Sequence, residues 1–131
     1  MLLEFESYLK DKFPYLFKEK SILCCSGGID SVVLFYLMLS VSKDFVVAHC
    51  NFKLRGIESD EDEDFVRDLC KEYSIKFYTK SFDVKKIKAH SNKSTQMIAR
   101  DLRYDFFDQL SSDLNIKHIL TAHHLNDSLE G

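Results

Sequence analysis

The sequence predicts an α/β protein in which a parallel sheet carries helices on both faces. Three observations lead there. Short apolar runs alternate with longer helical segments from residue 21 to the end of the chain. The runs at 21–25 and 45–49 are apolar almost throughout, which is how strands covered on both faces read. The segments between strands are long enough for helical crossovers, and strand–helix–strand repeats wind right-handed.

Each element has its own signal. Glu4 to Lys12 has a helical pattern and stops before Pro14. Ser21 to Cys25 is the first strand, ending in Ser-Gly-Gly. Asp30 to Ser40 is strongly apolar and fits a helix lying on the sheet. Phe45 to His49 is the second strand. Ser59 to Tyr73 reads as a helix with Ser59 as its N-cap and Phe65, Val66 and Leu69 as its apolar stripe. Ile75 to Phe82 is the third strand. Ser94 to Leu114 is a long helix with Ile98, Leu102, Phe106 and Leu110 on one stripe. His118 to Ala122 is the fourth strand, and a further helix starts near His124. Since the chain stops at Gly131, about two turns into that helix, residues 1–131 are expected to form one domain, incomplete on its C-terminal side.

Composition excludes several classes. A chain of 131 residues, 45% hydrophobic and 30% charged, supports one domain with a real core. No apolar run reaches the ~18 residues of a membrane span, and the N-terminus lacks the basic start and apolar block of a signal peptide. Cys24, Cys25, Cys50 and Cys70 form no CxxC pair, so neither a zinc ribbon nor a disulfide framework is indicated. Free thiols in a reducing cytoplasm are expected. The formal net charge of −3 conceals a division. Glu58 to Glu72 has eight acids against two bases, and Lys76 to Arg103 has eight bases against two acids. The basic stretch suits a polyanion; two solvated helix faces are the plainer reading.

Four motifs carry chemistry. The first is Ser26-Gly27-Gly28-Ile29-Asp30-Ser31, between the first strand and its helix. It matches neither GxxxxGK[ST] nor GxGxxG. Two glycines let backbone N–H groups approach a phosphate, and the following helix aims its positive end there. Asp30 would repel a bare phosphate, so a magnesium ion between them is expected. A tight turn with a helix cap is the alternative, made less apt by the strand before, the helix after and the serines on both sides. These six residues resemble the PP-loop, or SGGxDS, signature of the N-type ATP pyrophosphatases. The resemblance implies a Rossmann-like PP-loop ATPase fold, ATP held by its pyrophosphate, and attack on the α-phosphate to give an adenylated intermediate.

The second motif is Ala48 to Gly56, with Ser59, Asp60 and Asp62 behind it. It reads either as strand-end polar residues plus a basic loop or, by resemblance, as the AHxNHxLRGxxSDxD stretch of tRNA(Ile)-lysidine synthetases. Phe52 stands where that family usually has a histidine. The third motif is Ala99 to Phe107. Arg100 and Arg103 share a helix face and make a phosphate clamp, or pair with Asp101 or Asp105, while Leu102 and Phe106 point into the core. It resembles the family's ARxxRYxFF element, which implies that Arg103 faces the reacting phosphate. The fourth motif is Thr121 to Glu130, where helical spacing brings His123, Asp127 and Glu130 to one side. A zinc site is conceivable but lacks a fourth ligand, and surface residues at a helix start are the plainer alternative. The string resembles TAHHxxDxxET, with Asn126 for a common Asp and Gly131 for the usual Thr.

The four motifs occur in order over residues 26 to 130. Together they resemble the tRNA(Ile)-lysidine synthetases. This implies adenylation of the wobble cytidine of a CAU-anticodon isoleucine tRNA, then attack by the L-lysine ε-amine with loss of AMP. Ser26, Gly27, Gly28, Ile29, Asp30 and Ser31 would bind ATP, with magnesium on Asp30. Asp30, Arg103, His123 and Asp127 would be catalytic. Asp127 and Glu130 would hold lysine, and Arg55 and Arg100 would meet tRNA. A cytoplasmic protein follows, and a homodimer is compatible with it. The alternatives are a PP-loop tRNA thiolase and a non-catalytic nucleotide-sensing domain.

Overall fold

The computed structural model describes residues 2–12, 19–41 and 44–122. Its elements are α1 (Leu2–Lys12), β1 (Ser21–Cys24), α2 (Ile29–Val41), β2 (Phe45–Asn51), α3 (Ile57–Glu72), β3 (Phe77–Ser81), α4 (Val84–Lys88), α5 (Thr95–Leu114) and β4 (His118–Thr121). The four strands form one sheet in the order β3-β2-β1-β4, all neighbours parallel. From β1 the chain moves outward to β2 and β3, then returns to add β4 on the other side. The reversal of direction beside β1 is the crevice where open α/β sheets bind ligands. Cys24 pairs with Ala48 on one side and Thr121 on the other, so the carboxyl ends of the three strands lie close together.

Strand alternation divides the core into two layers. Leu23, Cys25, Phe45, Val47 and Leu120 face α2 and α3, meeting Leu34, Phe35, Met38, Val66, Leu69 and Cys70. Ile22, Val46 and Ala48 face α5, meeting Phe107 and Leu110. Because β1 and β2 are packed on both sides, their continuous apolar character is required. β3 lies at an edge, and its residues are half-buried or exposed.

Several sequence expectations need correcting. Ser59 is not the N-cap of α3. That helix starts at Ile57 after Gly56, whose positive φ of 58° makes the turn, and Gly56 offers no side-chain cap. The Ser59 hydroxyl instead accepts the Arg55 N–H at 3.0 Å. Leu102 is only half-buried and outside the core cluster beneath α5, which Phe107 and Leu110 fill and against which half-buried Phe106 packs, as expected. The short helix α4 has no counterpart in the sequence reading. It is capped by Asp83, which accepts the Lys86 N–H at 3.1 Å. The expected Ser94 start of the long helix is found, with its hydroxyl accepting the Met97 N–H at 3.2 Å.

Candidate active site

A cavity of about 650 Å³ opens at the carboxyl ends of β1, β2 and β4. Its floor includes Cys24, Cys25, His49, Cys50 and Thr121. One wall is the Ser26–Ser31 loop with Arg55, Ser59 and Asp62, and the opposite wall is Arg103, Tyr104 and Phe107 of α5 with Phe52.

The loop after β1 is held by its own serines. Ser31, buried at the start of α2, is the hub: its hydroxyl donates to the Gly28 carbonyl at 2.9 Å and accepts the Gly27 N–H at 3.2 Å. The Gly28 N–H donates to the Ser26 hydroxyl at 3.3 Å. The amides expected to face a phosphate are thus turned onto serine hydroxyls, and a bound anion would have to exchange with them. Gly27 is dictated twice over. Its φ is 93°, and a Cβ there would lie 3.3 Å from Cβ of Asp62. Hence α3 packs directly against the glycine. His49, buried at the end of β2, bonds through Nδ1 to the Cys25 carbonyl at 2.8 Å, which ties the loop's root to the second strand. Since a carbonyl only accepts, Nδ1 carries the proton.

The β2–α3 wall is organised by buried Asn51. Its Nδ2 donates to Asp60 at 2.9 Å, and its Oδ1 accepts the Lys53 N–H at 3.0 Å. Lys53 also bonds to Asp60. The Lys53 ammonium and Asn51 hold the Asp60 carboxyl below its ordinary value, and Asp60 in turn raises Lys53. Arg55 pairs with Asp62 and, at 3.7 Å, with Glu58.

On the opposite wall the Arg103 guanidinium lies 5.3 Å from the centre of the Phe52 ring. Phe52 stacks on Phe82 with centroids 5.7 Å apart and planes at 25°. Arg100 behaves differently. It lies 5.5 Å over Tyr104 of its own helix and is not among the cavity-lining residues. The shared helix face therefore does not give a two-arginine clamp on this cavity, and Asp101 pairs with Lys93 rather than with either arginine.

The expected site residues are distributed unevenly. Ser26, Ser31, Arg55 and Arg103 line the cavity. Gly27 and Gly28 form its loop, while Ile29 and Asp30 open α2 with exposed side chains. His123, Asp127 and Glu130 lie outside the described residues. Sequence reasoning gave no role to Phe52, nor to the packing of Asp62 on Gly27. An aromatic residue in an otherwise polar loop was the available signal for Phe52.

The thiols are all free, but not equally placed. Cys25 and Cys70 are buried; Cys24 and Cys50 are half-buried on the cavity floor, packed against the core beneath α5. Burial raises every one of them: Cys50 to about 11 and Cys70 to about 12, with Cys24 higher still. For magnesium the donor set is telling. Among the described residues no three His, Cys, Asp or Glu side chains cluster to hold a metal. Magnesium commonly takes one or two carboxylates and completes its shell with water and substrate phosphates. A single carboxylate such as Asp30, exposed at the start of α2 beside the Ser26–Ser31 loop, fits that mode.

Comparison with known proteins follows the same lines. The family profile described as "PP-loop domain" matches residues 1–131. A tRNA(Ile)-lysidine synthase of Chlorobaculum tepidum is 44% identical over 113 residues, covering 83% of this chain and 34% of that protein. One from Porphyromonas gingivalis W83 is 40% identical over 109 residues, covering 83% and 24%. One from Bacteroides thetaiotaomicron is 37% identical over 123 residues, covering 94% and 29%. The chain thus spans about a quarter to a third of the length of these relatives. Among solved structures, a U34-tRNA thiolase from Methanococcus maripaludis superposes with TM-score 0.67 at 19% identity, over 80% of this chain and 38% of that one. An NH3-dependent NAD synthetase from Campylobacter jejuni superposes with TM-score 0.66 at 15% identity, over 92% and 53%. At these identities the two structures speak to the fold alone.

Proposed function

Since the chain belongs to the PP-loop domain family, we propose that residues 1–131 are the ATP-using domain of a tRNA(Ile)-lysidine synthetase. The observation that carries this reading is the cavity at the sheet's switch point. It brings the Ser26–Ser31 loop, the Leu54-Arg55-Gly56 segment and Arg103 together, three motifs far apart in sequence. The 37–44% identical relatives named above support it.

The reaction joins lysine to C2 of the wobble cytidine in two steps. First the C2 oxygen attacks the α-phosphate of ATP, and pyrophosphate leaves. Then the lysine ε-amine attacks C2, and AMP leaves with the former C2 oxygen. The loop and the N-terminal end of α2 receive the phosphates, their amides exchanging serine hydroxyls for phosphate oxygens. Asp30 would hold magnesium, which supplies charge neutralisation on the phosphates. Arg103 supplies a fixed cation where charge builds on the α-phosphate; pre-aimed donors of this kind are worth about 3–4 kcal/mol. Of the residues outside the described part, His123 and Asp127 are assigned to proton handling, and Asp127 and Glu130 to the lysine ammonium groups. Arg55, Arg100 and the exposed lysines of α4, Lys85, Lys86 and Lys88, would meet tRNA phosphates. No described helix is long and apolar enough to cross a membrane; a cytoplasmic location and a homodimer belong to the proposal.

Sulfur transfer is the competing use of this fold. It needs a reactive thiolate, and thiolates are formed where nearby charge lowers the pKa. Cys24 and Cys50 face the cavity with their thiols raised instead. Pure nucleotide sensing would not call for Asp30, Arg103, His123 and Asp127 together.

The complete protein, given Mg-ATP, labelled lysine and unmodified CAU-anticodon isoleucine tRNA, is expected to place label in tRNA. AMP and pyrophosphate should appear in equal amounts. ATP binding without label in tRNA would sink the reading, and a sulfur-transfer assay would then decide for or against the thiolase.

A further inference from the structure

Two arginines one turn apart on α5 both rest on aromatic rings, but the rings have different origins. Tyr104 under Arg100 belongs to the same helix and is 54% exposed. Phe52 under Arg103 comes from the loop after β2. That loop is braced. Phe52 stacks on Phe82, the residue following β3, and the Phe82 N–H donates to the Asn51 carbonyl at 2.8 Å. Lys80 lies 5.4 Å over the Phe82 ring. Contacts thus run from Lys80 through Phe82 and Phe52 to Arg103, joining the ends of β2 and β3 to α5.

The chemistry of the contact matters more than its strength. A carboxylate partner takes up the in-plane N–H donors of a guanidinium, often two at a time. An aromatic ring attracts the same cation through its face and leaves those donors available. Among the described residues no carboxylate pairs with Arg103, whereas Arg55 across the cavity has two acidic partners.

We propose that Phe52 is the positioning residue for Arg103. Its ring holds the guanidinium at the cavity rim with the N–H donors unspent, ready for an anionic group in the cavity. That the anion is the α-phosphate of ATP rests on the proposed function; the holding role does not.

The test combines a direct readout of position with kinetics on the complete protein. Ring currents shift protons stacked over an aromatic face upfield. The Arg103 side-chain protons are therefore expected upfield in NMR spectra of the wild type and of Phe52→Tyr, and at ordinary positions in Phe52→Leu. In tRNA- and lysine-dependent AMP formation, Phe52→Leu should lower kcat about fivefold, the size of one lost cation–π contact. KM for ATP should change little, and Phe52→Tyr should restore the rate. Combined with Arg103→Met, the Leu substitution should cost nothing more. Absence of the upfield shift in wild type, or a full fivefold loss on top of Arg103→Met, would overturn the proposal. If the wild type forms no AMP, the functional reading fails. The shift and its response to the two Phe52 variants then still decide the holding role: lost in Leu alone supports it, unchanged in Leu overturns it.

Discussion

The two walls of the cavity treat positive charge in opposite ways. On the α3 side every cation close to the cavity has acidic company: Lys53 with Asp60, and Arg55 with Asp62 and Glu58. On the α5 side Arg103 sits on a hydrocarbon ring. Counting charges along the chain points the same way but too coarsely, since it makes the acidic stretch simply anion-repelling and the basic stretch uniformly available. In fact much of the acidic stretch is engaged internally. Arg67 takes Glu63 and Asp64, at 2.8 Å each. The α3 wall is a cross-linked scaffold that packs Asp62 against Gly27 and so braces the loop after β1. The α5 wall keeps a cation in reserve. What separates the two walls here is the partner of each arginine.

The sharpest way to break this contrast is to remove each arginine in turn. Arg103→Met in the complete protein is expected to lower kcat for AMP formation by about 100- to 1,000-fold, the usual loss for a pre-aimed donor to developing charge. Arg55→Met should cost less than about tenfold, because an exposed ion pair contributes little, and its effect should appear in KM for tRNA. Steady-state rates with tRNA and ATP varied separately decide between them. Equal losses would mean that the partners do not matter.

A second substitution tests whether the scaffold wall truly holds the loop. Gly27→Ala meets a φ of 93° and a contact of 3.3 Å to Asp62. Backbone strain of this kind costs about 1–3 kcal/mol, so the melting temperature should fall measurably. Calorimetric titration with Mg-ATP should show binding weakened about tenfold, since the loop must retreat from α3. Gly27→Ala combined with Asp62→Gly should recover part of the loss, the clash being gone while the strain remains.

How far these features were visible in the sequence follows from their range. β1 and β2 were legible because burial on both faces writes an apolar run into the chain itself. The Ser26–Ser31 loop was legible because its glycines and serines bond to one another within six positions. α4 was not, because five residues with only Val84 buried leave no periodicity. The α3 start was misplaced because the turn at Gly56 takes over the role of a side-chain cap. The hold of Phe52 on Arg103 and the packing of Asp62 on Gly27 join residues on different elements, and no local pattern records them. Nor did spacing reveal that Arg100 lies outside the cavity lining, because a shared helix face says nothing of where the cavity lies.

The smallest expected effect concerns the scaffold wall and acid. The Asp60 carboxyl is lowered by its bonds to Lys53 and Asn51. A lowered acid adds stability that is present above its unfolded value, near ~3.9, and that drains away as pH falls through the folded value. Lys53 is raised by Asp60, so its share is complete below its unfolded value, near ~10.4, and is lost as pH rises through the folded one. The pair therefore contributes across the neutral range and fails at both ends. Both groups are exposed, so the contribution is small and screened by salt. Asp60→Asn should lower the melting temperature slightly at pH 7 in low salt, and the difference from wild type should shrink progressively as pH falls below the ordinary carboxylate range. Arg103→Met should show no such pH-dependent difference, because its partner is a ring that does not titrate. A melting curve for Arg103→Met that converged with wild type in the same way as pH falls would reveal an acidic partner and erase the distinction between the two walls.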